Sequence, residues 1–541
     1  MVEANENQAE IETTAIDREL AFFLDRLGGK AEGFRELVVR LHAHLRDGNT
    51  CLNLSEEECE AASGYAMVGP PGKDVAGEES TKADPATPMV LDGNRLYLRR
   101  YYLYERDIAA AIRQRVSALP ASTLAGQDLA IERAAHARIL VVSGGPGTGK
   151  TTLVARLLER VLSDDPTTTI RLAAPTGKAA ARLGEALAEA TAALPEALLP
   201  ALPKQAETLH RLLRFRPRSI LPTHGSKQRL NLDLLLIDEA SMVDIALLAK
   251  TIRALPEHAR LILLGDKDQL ASVEAGAVLA ELSSAAELSV EDGDGDLADH
   301  LVLLQKNYRF GEDSGIGQLA EAIRSGDAKR ALAVLDDRDF PDATREQASI
   351  ETLTDQYLRP LHEARSAAEG FAAFEQFQFL CATRSGPYGV EAVNRRVAAQ
   401  LGIRPGVSWY EGRPILILKN AYHLRLFNGD VGIALTQADG VLRVAFPDAE
   451  ASEGFRWLHP SRLPEHETVY AMTVHKSQGA QFGSVVLMLP DQGSRMLSRE
   501  LVYTGVTRAR ERISLRGDLP AFETAVKTKT ERHSGLSDRF F

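Results

Sequence analysis

Apolar residues in this chain follow two rhythms. Short β-rich runs, ILVVS (139–143), TIRLAA (169–174), LLLID (234–238) and LILLGD (261–266), alternate with longer segments whose apolar positions recur every three or four residues. That alternation predicts a parallel sheet with crossover helices. A second alternating set follows, with QFLCA (378–382), VVLML (485–489) and ISLRG (513–517). Between its members, at about 404–468, strands and turns replace helices, as in RPILILKN and FNGDVGIAL, and predict a small β insertion. Near the N-terminus, AFFLDRLGG (21–29) and FRELVVRLHAHLRDG (34–48) have helical spacing. The stretch 69–88, rich in Gly, Pro and charge, and the acidic SVEDGDGDLAD (289–299) are expected to be loops. The expected class is α/β. A mainly helical unit occupies 1–115, a first parallel-sheet domain 116–345, and a second 346–541 with the insertion inside it.

Composition narrows the class. The 541 residues are too many for one core, and domains of ~100–200 residues predict three or four. Hydrophobic residues make up 44% and charged residues 26%, as in ordinary globular protein. No apolar run approaches the ~18 residues of a membrane span. The acidic, polar start MVEANENQAEIETT has the wrong chemistry for a signal peptide. Cys51, Cys59 and Cys381 are too few and odd in number for a disulfide framework, and no pair has the CxxC spacing of a zinc site. The net charge of −12 argues mildly against nucleic-acid binding, but it is a sum, and a groove needs only local positive potential.

The strongest chemical signal is GGPGTGKTT (144–152), which satisfies G-x-x-x-x-G-K-[ST] without mismatch between an apolar strand and a helical segment. Gly144, Gly145, Pro146, Gly147, Thr148, Gly149, Lys150, Thr151 and Thr152 are the expected nucleotide cradle. The glycines let backbone N–H groups face phosphates, and the helix N-terminus adds positive potential. Lys150 supplies a point charge to the β and γ phosphates, and Thr151 a hydroxyl to Mg²⁺. LLLIDEAS (234–241) then delivers Asp238 and Glu239 to the C-terminal end of a strand, where open α/β sheets place ligands. Asp238 is expected to hold Mg²⁺ through water, and Glu239 to activate the attacking water. Taken alone, such a DE pair could simply cap a helix; after a full P-loop it points to ATP hydrolysis.

GDKDQL (265–270) places Gln269 past another strand, where an amide can contact the γ phosphate. QKNYRF (305–310) and YTGVTRARER (503–512) add Arg309 and Arg508. An isolated arginine is usually a solvated surface group. Reaching the nucleotide from the second domain, Arg508 would stabilise transition-state charge and couple hydrolysis to domain closure.

The ordered set GGPGTGKTT, APTGKAAARL (174–183), ETLHRLLR (207–214), LLLIDEASMVD, LLGDKDQL, NYRF, LCATRSGPYGVEAVN (380–394), TVHKSQGAQF (473–482) and VYTGVTRARER resembles superfamily 1 helicases, and within them the RecD-type, 5′→3′ branch. The motifs cover about 125–515. The resemblance implies two RecA-like P-loop domains clamping ATP, a small SH3-like β insertion in the second, and Tyr308 and Gln127 on the adenine. It places Arg309 and Arg508 on the γ phosphate. It puts Thr176 and Lys178 on the DNA backbone, with His210, Arg211, Thr473, His475 and Lys476 near the strand. It further implies RecB-like and RecC-like partners in a heterotrimer, with the first unit docking on the RecC-like one. The substrate would be DNA with a 5′-ended single strand, and the setting double-strand break repair by homologous recombination in the bacterial cytoplasm, at the nucleoid. Any nuclease would reside in another subunit. A stand-alone helicase of the same branch, an ATP-binding structural subunit and a metabolite kinase are the competing readings. In one departure from the family, Gln481 stands where many relatives have an acid after KSQG-x.

Overall fold

In the computed structural model the described residues are 13–28, 31–72, 87–191, 195–203, 205–216, 219–292, 297–311, 313–448, 451, 453–490 and 497–540. Most of the stretch 69–88 therefore lies outside the described residues. The acidic stretch 289–299 is only partly a loop, because the helix Val278–Asp292 runs into its start.

The first unit opens with helices Ala15–Gly28 and Phe34–Arg46. Asp17 on the first helix is fully buried and accepts from Arg46 and His42 on the second, so the pair is pinned by charge as well as by apolar contact. The unit also holds a four-stranded sheet that the sequence rhythm does not announce. Its order is Leu52–Asn53, Arg95–Leu98, Met89–Asp92, Val68–Gly69. Strands of two to four residues leave too little alternation to read. The helix Arg99–Arg113 follows and buries Ile108, Ala109 and Ile112 in the core of the next domain.

The first core is a six-stranded parallel sheet in the order Leu301–Leu304, Ile139–Gly144, Arg260–Gly265, Leu234–Ile237, Ile170–Ala174, Ala206–Thr208. Its central strands are apolar on both faces along most of their length because helices cover both faces. Alternate residues split accordingly. Leu140, Val142, Leu234, Leu236, Ile262 and Leu264 fall in one hydrophobic cluster. Ile139, Val141, Leu235, Ile237, Leu261 and Leu263 fall in another. The second core is a five-stranded parallel sheet, ordered Ala343–Arg345, Ala509–Arg516, Phe482–Met488, Phe377–Cys381, Ala471–Thr473. The insertion is a separate antiparallel sheet of five strands, from Pro414–Ile417 to His466–Thr468, with its own small core around Ile415, Ile417, Leu426 and Phe446.

After the helix Leu519–Lys527 the chain turns back to the first unit. Arg532 donates to the carbonyls of Ser272, Glu274 and Gly276. The amide of Thr50 donates to the His533 carbonyl at 2.9 Å. Ser534 lies within hydrogen-bond distance of both Glu105 (3.0 Å) and Glu281 (2.6 Å), and Leu536 is fully buried in the first core's cluster. Burial pushes Glu281 up to about 7, against the bond from Ser534 and with the help of Glu105's charge. A carboxyl held above its ordinary 4.5 favours the folded chain in its protonated form, so that contribution is complete below about 4.5 and lost as pH rises through about 7. Urea unfolding of the native chain and Glu281→Gln between pH 5 and 8 checks this. The native chain is expected to lose stability relative to the variant as pH rises. Parallel trends would place the dependence elsewhere.

Candidate active site

The P-loop is shaped by two glycines in the left-handed region, Gly147 (φ 85°) and Gly149 (φ 75°). Side chains are excluded there by space as well as by torsion. A Cβ on Gly147 would lie 2.4 Å from Asn307 Oδ1, and one on Gly145 2.8 Å from the Tyr503 hydroxyl. Asn307 clasps the loop by donating to the Pro146 carbonyl at 3.0 Å, while the Tyr308 amide donates to the Gly147 carbonyl at 2.8 Å. Thr148 folds inward, its hydroxyl on the Gly145 carbonyl at 2.8 Å. The Lys150 ammonium is turned back on its own loop, donating to the carbonyls of Gly144 and Gly145.

Above the loop is a cavity of about 350 Å³, within the ~300–1,000 Å³ range of small-molecule pockets. Gly145, Pro146, Gly147, Gly149, Lys150, Thr151 and Thr152 form its floor. Gly144 and Thr148 lie behind that floor. Asp238, Glu239 and Gln269 line one side, and Tyr308, Arg309 and Arg508 close it. Gln127 is not part of the lining: its amide donates to the Thr148 carbonyl at 2.9 Å. It does flank Gly149 together with the Tyr308 ring.

The charges in this cavity are poorly matched without a ligand. Burial, then the neighbouring Glu239, pushes the Asp238 carboxyl up to about 6, although the Glu239 amide donates to it at 2.8 Å. Glu239 itself has φ 52°, a left-handed conformation uncommon for a residue with a side chain and often found at functional sites. Burial lowers the affinity of the Arg309 and Arg508 guanidiniums for their protons, and Arg508 and Arg182 add repulsion at Arg309. Three crowded guanidiniums and a lysine facing a buried carboxyl form a receptor for a polyanion bound with a divalent cation.

Four lining or supporting residues escaped the motif reading: Asn307, Arg182, Asp266 and Tyr503. All lie inside quoted motifs, but nothing in their spacing marks them. Asp266 accepts from Gln269 Nε2 at 3.0 Å and from the Tyr503 hydroxyl at 3.2 Å, so the amide expected at the γ phosphate is tethered to the second core. Thr504 Oγ1 accepts from the Leu270 amide at 2.9 Å, and Gln478 donates to the Leu270 carbonyl at 2.9 Å. The loop after the strand Arg260–Gly265 is thereby stitched to the opposite core.

A second cavity of about 390 Å³ lies between the helix Gly177–Thr191 and the second core with its insertion. Lys178, Arg211, Arg425 and Arg456 supply cations, Glu185, Glu207, Glu375 and Asp430 carboxylates, and Phe371, Phe427 and Phe482 apolar surface. Burial, then Arg182, pulls the Lys178 ammonium down to about 8. The other residues expected near a strand do not line this groove. Thr176 caps the helix, accepting from the Ala179 amide at 3.2 Å. His210 rests against Phe215, with ring centroids 4.9 Å apart. Thr473 accepts from the Lys476 amide at 3.3 Å, and His475 is half-buried nearby. The Lys476 ammonium is paired with Glu467 at 2.5 Å, and Glu467 also meets Arg384 at 3.4 Å.

Gln481 lines both cavities. Its amide can hydrogen-bond to a ligand in either cavity without carrying charge. In an ATPase titration, Gln481→Glu is expected to tighten KM for ATP or leave it unchanged, at nearly native kcat. A collapse in kcat would refute this.

Two family profiles match the chain: an AAA domain over residues 127–275 and a UvrD-like helicase C-terminal domain over 468–515. The RecBCD enzyme subunit RecD of Mycolicibacterium smegmatis is 38% identical over 97% of this chain and 96% of its own length. The ATP-dependent RecD2 DNA helicase of Deinococcus radiodurans is 30% identical over 82% of this chain and 58% of its own. Among solved structures, Bacteroides Pif1 bound to ssDNA superposes with a TM-score of 0.38 and 18% identity, over 71% of this chain and 90% of that one.

Proposed function

The chain belongs to the RecD family of helicases, and on that premise we propose that it is the ATP-driven, 5′→3′ DNA-translocating subunit of a RecBCD-type exodeoxyribonuclease. Its partners are RecB-like and RecC-like subunits, its substrate is DNA with a 5′-ended single strand, and its setting is double-strand break repair by homologous recombination at the nucleoid. The nuclease activity belongs to another subunit. The match to the M. smegmatis RecD subunit, 38% identical over 96% of its length against 30% over 58% of RecD2, favours this over a stand-alone helicase.

The observation that carries the reading is the convergence of Arg508, from the second core, on the cavity that holds Lys150 and Glu239 of the first. In this mechanism Lys150 leaves the carbonyls of Gly144 and Gly145 for the β and γ phosphates. Tyr308, with Gln127 beside it, takes the adenine. Glu239 orients and deprotonates the attacking water, and Gln269 contacts the γ phosphate. Arg309 and Arg508 neutralise charge on the transferring phosphoryl group. Thr151 and the buried, under-compensated Asp238 suit Mg²⁺, which when bound neutralises the charge shared by the phosphates. A change at the γ phosphate passes through Gln269 and Asp266 to Tyr503, and so to the second core. Lys178 and Arg211 hold the strand through its phosphates, because a motor cannot depend on sequence. In this reading Thr176 sets the start of the Lys178 helix, while Thr473, His475 and Lys476 act on the strand from outside the groove.

Unwinding of duplexes with a 5′ or a 3′ overhang, by the chain alone and with RecB- and RecC-like subunits, tests the proposal alongside DNA-stimulated ATPase. ATP-dependent unwinding from the 5′ overhang is expected. ATPase indifferent to DNA, or unwinding only from the 3′ overhang, would sink it.

A further inference from the structure

Among the described residues, only Arg182 and Gln481 line both the nucleotide cavity and the second groove, where cations and carboxylates mix. They come from opposite cores, Arg182 from the helix Gly177–Thr191 and Gln481 from the loop before the strand Phe482–Met488. On that helix Ala179 and Leu183 face the nucleotide cavity, while Lys178, Ala181 and Glu185 face the groove. Arg182 stands where the two faces meet.

Its side chain makes no hydrogen bond or ion pair among the described residues, and burial is the first of the influences that weaken its hold on its proton. Arg508 repels it, while Glu239 on the nucleotide side and Glu375 on the groove side attract it. Arg182 is half-buried and has no partner to leave among the described residues, and its long flexible stem lets it move to whichever anion arrives. The nucleotide cavity already holds Lys150, Arg309 and Arg508, and the groove already holds Lys178 and Arg211. Arg182 is the cation that either site can recruit. Gln481, the other shared side chain, is neutral and cannot substitute for it.

We propose that Arg182 is a coupling residue: it pairs with a strand phosphate when the nucleotide site is empty and is drawn to the γ phosphate when ATP binds, so that the two ligands compete for one cation. This rests on the assignment of the cavities to nucleotide and strand. Binding of each ligand then weakens the other, by the same factor in both directions. Stimulation of turnover by DNA is a kinetic effect and is not bound by that reciprocity. Because a strand phosphate neutralised by protein releases counterions, the transfer of one cation has a measurable signature. The salt dependence of strand binding should be shallower by about 0.7 in log–log slope when ATP is bound.

The test measures affinity for a fluorescent oligo-dT across a salt series, without nucleotide and with saturating AMP-PNP, on the full chain. In the native chain AMP-PNP is expected to weaken binding about five-fold or more and to flatten the slope by about 0.7. In Arg182→Gln both differences should vanish; in Arg182→Lys, which keeps the charge, the slope difference should survive. Arg211→Gln, which touches the groove alone, should weaken binding equally with and without AMP-PNP. A native chain with equal slopes, or an Arg182→Gln variant with the native difference, overturns the proposal. Should the native chain bind neither oligo-dT nor AMP-PNP, the helicase reading fails instead, a distinct result.

Discussion

Lys150→Ala is expected to lower ATP turnover by a factor of about a thousand or more and to abolish ATP-dependent unwinding while the chain stays folded. Removing one preorganised donor from a phosphoryl or acyl transition state typically costs ~10²–10³ in rate. Among the described residues Lys150 is the only ammonium lining the cavity, and it is expected to contribute to ground-state phosphate binding as well. The structural loss is modest. The ammonium is tied to the carbonyls of Gly144 and Gly145, and the Gly145 carbonyl keeps its bond from Thr148. The loop's shape is held by Asn307 and by its glycines, not by the lysine. Steady-state ATPase with saturating single-stranded DNA, beside a thermal unfolding curve, checks both parts. Persistent ATP-driven unwinding by the variant would remove the P-loop from the mechanism.

Arg508→Ala is the second large effect. An arginine supplied to a phosphoryl-transfer site is worth ~10³–10⁵ in kcat, and a fall of about a thousandfold is expected here, with a much smaller change in nucleotide affinity. Truncation also removes donors from the carbonyls of Thr504 and Ala480 in a place where the side chain is only 3% exposed. A stability loss of about 1–3 kcal/mol should accompany it. Arg508→Lys separates the two consequences. It keeps the charge and fills most of the space but loses the planar fork. Single-turnover hydrolysis should therefore remain at least about a hundredfold slow in a nearly native fold. A lysine variant with near-native turnover would show that the guanidinium serves packing rather than chemistry.

How far the residue pattern alone reached can be judged from particular elements. The strand Ile139–Gly144 and its neighbours were legible because burial on both faces leaves an uninterrupted apolar run, and a run of that length bounded by turns has few other uses. The sheet of the first unit was not, because strands as short as Leu52–Asn53 carry no period. Lys150 and Glu239 stood out because the chemistry needs those groups beside fixed turns, and Arg508 only through the family resemblance; the fold brings all three to one cavity. Tyr503 and Asp266 were quoted without a role, since their hydrogen bond joins positions 237 residues apart and no local pattern records it. Lys476 shows the opposite limit. Its motif points to a strand, yet in the fold its ammonium meets Glu467, contributed by the last strand of the insertion. Arg182 looked like any arginine on a helix; only the meeting of two cavities at its side chain distinguishes it.

The return of residues 532–539 to the first unit bears on how the chain is made. Thr50 finds its partner carbonyl 483 positions downstream, and Glu105 waits for Ser534 and Arg539. On the ribosome the first unit emerges well before residues 532–539, which fill its seam. Its closure therefore follows the synthesis of both cores, and until residues 532–539 have been made the slot for Leu536 in the first core stays open.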